Sequence, residues 1–178
     1  MEEATYKNKI EAIEKWLGTG SINIFGRPYS GKDTHGAELA KMFGCPIIGS
    51  GEILRSHSSE RAIALMAEGN LAPQDEFKAV VLPFFSQDKY KSTPLILSTV
   101  GRWIGEEQSV IDAAKTSGHE IKAVFYLNVN EQTAHERWEH NDRDRHDDQS
   151  VQVLENRMKQ FEEKTLPVIE AYRELGIV

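Results

Sequence analysis

One glycine-rich segment constrains the fold more than any other part of the chain: Gly26-Arg27-Pro28-Tyr29-Ser30-Gly31-Lys32-Asp33-Thr34. It lies between a short β-rich run at 21–25 and a predicted helix over 32–43. In such a turn successive backbone N–H groups point inward, and the helix N-terminus adds partial positive charge. The pattern predicts a phosphate-binding loop in which Lys32 supplies a full charge; the alternative is a strand–turn–helix link whose glycines serve the turn alone.

Strand and helix patterns alternate along the rest of the chain. The predicted strands are 21–25, 46–48, 93–100 and 121–129, and the predicted helices are 4–17, 32–43, 51–68, 74–88, 105–117, 130–140 and 150–174. This alternation predicts an α/β fold with a parallel sheet covered on both faces. A length of 178 residues suits one domain.

Apolar spacing predicts which helix faces are buried. The expected inward residues are Tyr6, Ile10, Ile13 and Leu17 in the first helix and Leu39, Met42 and Phe43 in the second. In the helix at 130–140 they are Ala134 and Trp138, and in the last helix they are Val151, Leu154, Met158 and Phe161.

Charge and cysteine content exclude several classes of protein. Lys plus Arg number 21 against 28 Asp plus Glu, a net charge of −7, whereas a general nucleic-acid or membrane binder carries the opposite sign. A single cysteine, Cys45, forms no internal disulfide and no zinc-binding pair. We expect a cytoplasmic monomer with no nucleic-acid or membrane partner, in which any bound anion meets a local cluster of positive side chains.

Further motifs follow the loop in a fixed order between residues 21 and 172. They are Gly49-Ser50-Gly51-Glu52-Ile53-Leu54-Arg55, Gly69-Asn70-Leu71-Ala72-Pro73, Leu97-Ser98-Thr99-Val100-Gly101-Arg102, Arg137, Arg145-His146-Asp147-Asp148 with Arg157, and Thr165-Leu166-Pro167-Val168-Ile169 with Tyr172. Together with the loop, which is similar to G-x-P-G-S-G-K-G-T-Q, they resemble the adenylate kinase family of nucleoside monophosphate kinases.

The resemblance implies a reaction and a set of roles. ATP would be held by Gly26, Pro28, Tyr29, Ser30, Gly31, Lys32, Asp33, Thr34 and Arg137, with Mg²⁺ at Thr34 and Asp33. The acceptor monophosphate, with AMP as the first candidate, would be held by Ser50, Arg55, Leu71, Ala72, Gly101, Arg102 and Glu106. Lys32, Arg102, Arg137, Arg145 and Arg157 would stabilise the transferred phosphoryl group.

The resemblance also implies an architecture. It is a P-loop kinase fold with a central parallel sheet of four or five strands, a helical acceptor lobe at 50–88 and a short lid at 141–148. Residues 1–20 would be an N-terminal helical extension of this single domain, which spans 1–178.

Three departures from the family pattern matter. Ser98 and Gly101 replace the aspartate and the proline of L-D-G-F-P-R, and we hypothesise that Asp33 substitutes for the lost metal-organising carboxylate. Glu106 replaces the glutamine that reads the acceptor base. The chain ends at Val178, so that the sheet lacks its last strand or keeps a stub of it, and the helix at 4–17 could cover core left exposed there.

These departures leave two alternatives open. One is a P-loop kinase for another small-molecule acceptor, suggested by Glu106 and Gly101. The other is a nucleotide-binding module with impaired catalysis, suggested by Ser98, Asp33 and the missing strand.

Overall fold

The computed structural model describes residues 2–140 and 150–178. The strands are β1 (Ser21–Gly26), β2 (Ile47–Gly49), β3 (Leu95–Ser98) and β4 (Ile121–Leu127). The helices are α1 (Glu2–Leu17), α2 (Lys32–Met42), α3 (Ser50–His57), α4 (Glu60–Ala67), α5 (Gln74–Val80), α6 (Glu106–Thr116), α7 (Glu131–Glu139), α8 (Val151–Gln160) and α9 (Leu166–Glu174).

The four strands form one parallel sheet in the order β2-β3-β1-β4. Ser98, at the end of β3, is in register with Ile24 of β1 and with Gly49 of β2. Neighbouring strands therefore reach their carboxyl ends at the same edge of the sheet. The predicted α/β architecture of the P-loop kinase fold is confirmed.

Alternate residues of the central strands pack in two separate hydrophobic cores. Leu95 and Leu97 of β3 pack in the larger core, which also contains Phe25. Ile96, between them, packs with Ile22 in the smaller core. Because successive strand residues point to opposite faces, the sheet is covered on both sides, as the alternation of elements predicted.

Two predicted helices are interrupted. The predicted helix at 51–68 is two helices. The first ends at His57, where the next residue, Ser58, is extended, and Ser59 caps α4 by accepting a 3.3 Å hydrogen bond from the N–H of Ala62. The predicted helix at 74–88 ends at Val80 and continues as 3₁₀ turns at Leu82–Ser86 and Asp88–Tyr90. Pro83 explains the change, since it has no N–H to donate to an α-helical partner.

The predicted helix at 150–174 contains a π-helical turn at Phe161–Thr165 between α8 and α9. The N–H of Leu166 donates to the carbonyl of Phe161, five residues earlier. Pro167 lies just beyond this turn and cannot donate to the residue four before it, which accounts for the irregularity at this point.

The prediction that α1 covers exposed core is wrong. Leu17 alone among its described side chains is buried, in the smaller core, whereas Ile13 is 42% and Trp16 is 51% exposed. Met42 and Val151, also expected to face inward, are exposed as well. Apolar periodicity identified these helix faces but not whether anything packs on them.

At the C-terminus a backbone hydrogen bond joins the end of the chain to β4. The N–H of Val124 in β4 donates a 2.7 Å hydrogen bond to the carbonyl of Ile177. Ile177 itself packs against the larger core. Across 2–140 and 150–178, no helix has the length and apolar character needed to cross a membrane.

Candidate active site

A cleft of about 350 Å³ opens at the carboxyl edge of the sheet. Gly26, Gly49 and Ser98, the last residues of β1, β2 and β3, all line it. Ligands of open α/β sheets bind at this edge, where loops leave adjacent strands in different directions.

The phosphate loop leaves β1 as a tight turn. A Cβ placed on Gly26 would lie 2.3 Å from the Oγ of Ser30, so only glycine lets the loop fold back this closely. Ser30 is buried, and its N–H donates to the carbonyl of Arg27 at 3.1 Å. Gly31 has φ of 91° and leads directly into α2, whose first residue, Lys32, lines the cleft.

Two arginines, one from α7 and one from the loop itself, tie this loop to neighbouring helices. Arg137 of α7 donates to the carbonyls of Tyr29 and Ser30 at 3.1 and 3.0 Å. The guanidinium of Arg27 lies 5.8 Å from the centroid of the Phe161 ring and 3.6 Å from the Oε1 of Glu162, in the π-helical turn. The loop is thereby tied to α7 on one side and to the last helices on the other.

Asp33 and Ser98 meet across the cleft floor. The Ser98 hydroxyl donates a 2.7 Å hydrogen bond to the Oδ1 of Asp33, and the other carboxylate oxygen lies 3.7 Å from the Nζ of Lys32. Asp33, Ser98 and Lys32 all line the cleft, and the Asp33 side chain is 42% exposed. Thr34, the expected hydroxyl ligand, is exposed and does not line this cleft.

Two guanidinium groups converge at the start of α3. A Cβ on Gly51 would lie 3.3 Å from the Nη1 of Arg55 and 3.7 Å from the Nη2 of Arg102. Both arginines line the cleft, as does Leu71. Forked guanidinium donors match phosphate oxygens.

The remaining predicted acceptor residues are turned away from the cleft lining. Ser50 is buried and donates to the carbonyl of Thr99 at 2.6 Å. The Ala72 carbonyl accepts the Trp103 indole N–H at 3.0 Å. Glu106 is 1% exposed, and its Oε2 accepts the backbone N–H groups of Arg102 and Trp103 at 2.6 and 3.1 Å.

Burial raises the pKa of the Glu106 carboxyl group. The two backbone N–H groups, together with the positive charges of Arg102 and Lys78, act in the opposite direction but do not cancel this effect. Glu106 is therefore a carboxylate held inside the protein rather than one presented to the cleft.

Among the described residues, the charge of the cleft lining is opposite to the charge of the chain. The described ionisable lining residues are Lys32, Arg55, Arg102 and Arg157 on the positive side and Asp33 and Glu52 on the negative side. Within residues 2–140 and 150–178, four positive groups against two acids form a local positive cluster that suits an anionic ligand, on a chain of net charge −7.

Sequence reasoning named Tyr29 as an ATP-binding residue but missed its strained backbone, and it missed Thr99 as a site residue altogether. Tyr29 has φ of 62° and Thr99 has φ of 51°, in the left-handed region that favours glycine. Both stand at positions that the motifs G-x-P-G-S-G-K-G-T-Q and L-D-G-F-P-R give as glycine, and that signal could have found them. Such strain concentrates at functional sites.

One predicted site residue and one predicted element cannot be placed. Arg145 and the lid at 141–148 lie outside the described residues.

A strand–loop–helix phosphate site beside paired guanidinium groups, at the carboxyl edge of a parallel sheet, defines the class of P-loop phosphotransferases. Comparison with known proteins narrows the class. A model described as adenylate kinase matches residues 24–177. The chain belongs to the adenylate kinase family.

Individual relatives agree with this family. The chain is similar to an adenylate kinase of Mycobacterium tuberculosis (strain ATCC 25618 / H37Rv), at 29% identity over 86% of each chain. It is similar to one from Oenococcus oeni at 26% identity, over 88% of this chain and 85% of the relative. A third, from Thermobifida fusca, is 24% identical over 88% and 86%.

Proposed function

We propose that the protein transfers the γ-phosphoryl group of ATP to a nucleoside monophosphate, with AMP as the first acceptor to test. One observation carries the proposal: a single cleft contains Lys32 at the phosphate loop and the converging Arg55 and Arg102 at the start of α3. A donor phosphate and an acceptor phosphate each need such a group, and in-line transfer needs both in one cavity. Membership of the adenylate kinase family supports it.

The donor side is assigned to the phosphate loop. Its backbone, Gly26 to Thr34, would cradle the β- and γ-phosphates, and Lys32 would neutralise their charge. Arg137 holds two carbonyls of the loop and so keeps the N–H groups pointing inward. Arg157 lines the same cleft and would face charge that develops during transfer. The proposal also includes Arg145, which would stabilise the transferred phosphoryl group, and a short lid at 141–148.

Magnesium fits the residues that face the cleft. Asp33 supplies a carboxylate that Ser98 orients, whereas the Thr34 hydroxyl, the other expected ligand, is exposed and does not line the cleft. Magnesium bound with a nucleotide needs only one or two carboxylates, since phosphates and water supply the other oxygens. When bound, the ion screens phosphate charge; Asp33 would hold it and Ser98 would fix the rotamer of Asp33.

A kinase with another small-molecule acceptor is a second candidate. The observation that favours it is the position of Glu106, which is buried and does not line the cleft, so that the family's base-reading position contributes no group there. A module that binds nucleotide without catalysis is favoured by Ser98 alone, and the positive cluster in the cleft argues against it.

Domain organisation also belongs to the proposal. We infer one domain over 1–178 with an acceptor lobe at 50–88, in which α3 and α5 pack together. A monomeric state and a cytoplasmic location remain predictions from composition.

The test is an ADP-formation assay with ATP and Mg²⁺ and each of AMP, GMP, CMP, UMP and dTMP as acceptor. Turnover on one or more acceptors that Lys32→Ala abolishes, while Lys41→Ala does not, would support the proposal. Lys41 is a matched control because it lies exposed in the last turn of the same helix. ATP binding by calorimetry without turnover on any acceptor would favour the non-catalytic module or another acceptor.

A further inference from the structure

A buried carboxylate organises the loop that carries Arg102. Glu106 is the first residue of α6, and its side chain turns back over the loop that precedes the helix. Its Oε2 accepts the N–H groups of Arg102 and Trp103, at 2.6 and 3.1 Å, while its own N–H donates to the Trp103 carbonyl at 2.9 Å. Two hydrogen bonds from backbone N–H groups to one carboxyl oxygen hold this loop against the start of α6.

The chain approaches this carboxylate through a glycine. Gly101 has φ of 86°, and a Cβ there would lie 3.2 Å from the Cγ2 of Val110 and 3.6 Å from the Cβ of Glu106. The chain can therefore leave β3 and pass directly over α6 only with a residue that lacks a side chain. The glycine that replaces the family's proline and the glutamate that replaces its glutamine are parts of one local structure.

The two N–H groups that Glu106 holds belong to residues with different tasks. The Arg102 side chain enters the cleft beside Arg55. The Trp103 indole donates to the Ala72 carbonyl at 3.0 Å, and the Nζ of Lys164 lies 5.1 Å from the centroid of its ring. One carboxyl group thus fixes the backbone of two residues. The Arg102 side chain is the proposed phosphate-binding group, and the Trp103 side chain supports the 69–73 turn.

We propose that Glu106 is a positioning residue for Arg102 and takes no part in reading the acceptor base. Its carboxylate does not line the cleft, it is 1% exposed, and one of its oxygens already accepts two backbone bonds. Its other oxygen, Oε1, has no hydrogen-bond partner among the described residues, but it is buried rather than turned toward a ligand. The inference rests on the proposed function, because Arg102 is taken to bind the acceptor phosphate.

The test compares acceptor kinetics of Glu106→Gln, Glu106→Ala and the control Glu107→Ala in the five-acceptor assay. The control removes a neighbouring carboxylate that also binds the same loop, through the N–H of Gly105 at 2.7 Å. Glu106→Ala should raise the KM of every acceptor by a similar factor of about ten, the scale expected when two hydrogen bonds no longer orient a binding group. The KM of ATP should stay within about twofold, because the phosphate loop is untouched.

Glu106→Gln discriminates between positioning and base reading. An amide oxygen can accept both backbone bonds, so we expect acceptor KM values near wild type and an unchanged order of preference among acceptors. A changed order would overturn the inference, and so would unchanged acceptor KM values in Glu106→Ala. If Glu106→Ala does not fold, the order of acceptor preference in Glu106→Gln still distinguishes positioning from base reading. Absence of turnover in the wild type would contradict the proposed function instead.

Discussion

The Ser98 hydroxyl donates a 2.7 Å hydrogen bond to the carboxylate of Asp33, joining the end of β3 to the first turn of α2. Serine at the strand end would by itself leave the cleft without a carboxylate on that side. The pairing places one on the phosphate-loop side instead, 3.7 Å from the Nζ of Lys32. Compared with the motifs G-x-P-G-S-G-K-G-T-Q and L-D-G-F-P-R, this cleft has a carboxylate at residue 33 and none at residue 98.

Removal of the Asp33 carboxylate should weaken the use of magnesium. We expect Asp33→Ala to lower kcat by about tenfold or more and to raise the Mg²⁺ concentration needed for half-maximal rate, because a hard cation loses its charged oxygen ligand. Asp75→Ala is the matched control, since Asp75 is an exposed acid in the first turn of α5 and does not line the cleft.

A double substitution can place the carboxylate at residue 98 instead of residue 33. Asp33→Gly combined with Ser98→Asp should recover Mg²⁺-dependent ATP affinity, measured by calorimetry, relative to Asp33→Gly alone. Equal Mg²⁺ dependence in the wild type and in Asp33→Ala would contradict the role given to Asp33.

The two converging arginines should act on one acceptor phosphate. Arg55→Ala and Arg102→Ala should each raise the acceptor KM by about 10- to 100-fold, the effect of losing a charge-assisted bond to phosphate. The double variant should lose less than the sum of the two free-energy changes, because the groups share a ligand. Arg61→Ala on the exposed face of α4 is the control, and additive losses would argue against a shared phosphate.

Glu106 should make stability depend on pH. Burial raises its pKa in the folded protein above the unfolded value, so its destabilising effect is absent below the unfolded pKa and grows as pH rises toward the folded pKa. The free energy of unfolding of the wild type, relative to Glu106→Gln, should therefore fall between about pH 4, near the unfolded pKa, and neutral pH. Urea unfolding of both proteins across this range measures it, and parallel pH curves would contradict the prediction.

Substitution of Thr99 by glycine should relieve the strain of its left-handed backbone. A left-handed φ costs a β-branched residue about 1–3 kcal/mol, while glycine costs about 0.5–1 kcal/mol in chain entropy. Its hydroxyl bond to the Ile24 carbonyl, 3.2 Å long, offsets part of the gain. We expect Thr99→Gly to leave the free energy of unfolding unchanged or to raise it by up to about 1 kcal/mol.

Thr93 provides the comparison for Thr99. It also donates its hydroxyl to a backbone carbonyl, that of Tyr90 at 2.8 Å, but it is not among the residues with positive φ. Thr93→Gly should therefore destabilise, by about 1–2 kcal/mol. Equal losses in both variants would show that Thr99 is not strained.

Local patterns predicted the phosphate loop and the parallel sheet because each depends on a few adjacent residues. Glycine spacing and Lys32 define the loop, and alternation of strands and helices defines the sheet. The site beyond the loop depends on contacts between distant residues. Motif position alone suggested that Glu106 faces the acceptor base, whereas its burial follows from N–H groups that only the folded loop at 101–105 brings to it.

Local sequence likewise accounts for helix boundaries, whereas it does not predict helix packing. Pro83 and Pro167 are local signals, and their positions account for the 3₁₀ turns and the π-helical turn. Periodicity in α1 could not reveal that Ile13 and Trp16 are exposed, since a helix face is defined by one segment and its burial by another.

The contact between Trp103 and the Ala72 carbonyl gives the chain an intrinsic optical reporter. Indole emission responds to the polarity and charge around the ring, and this ring lies between the 69–73 turn and the Nζ of Lys164. The other two tryptophans lie elsewhere, Trp16 exposed on α1 and Trp138 packed, like Tyr29, against the cluster of Ala134, Leu154 and Met158. Spectral changes from Trp103 alone, with Trp16 and Trp138 replaced by phenylalanine, can thus follow events in the acceptor half of the cleft without any added label.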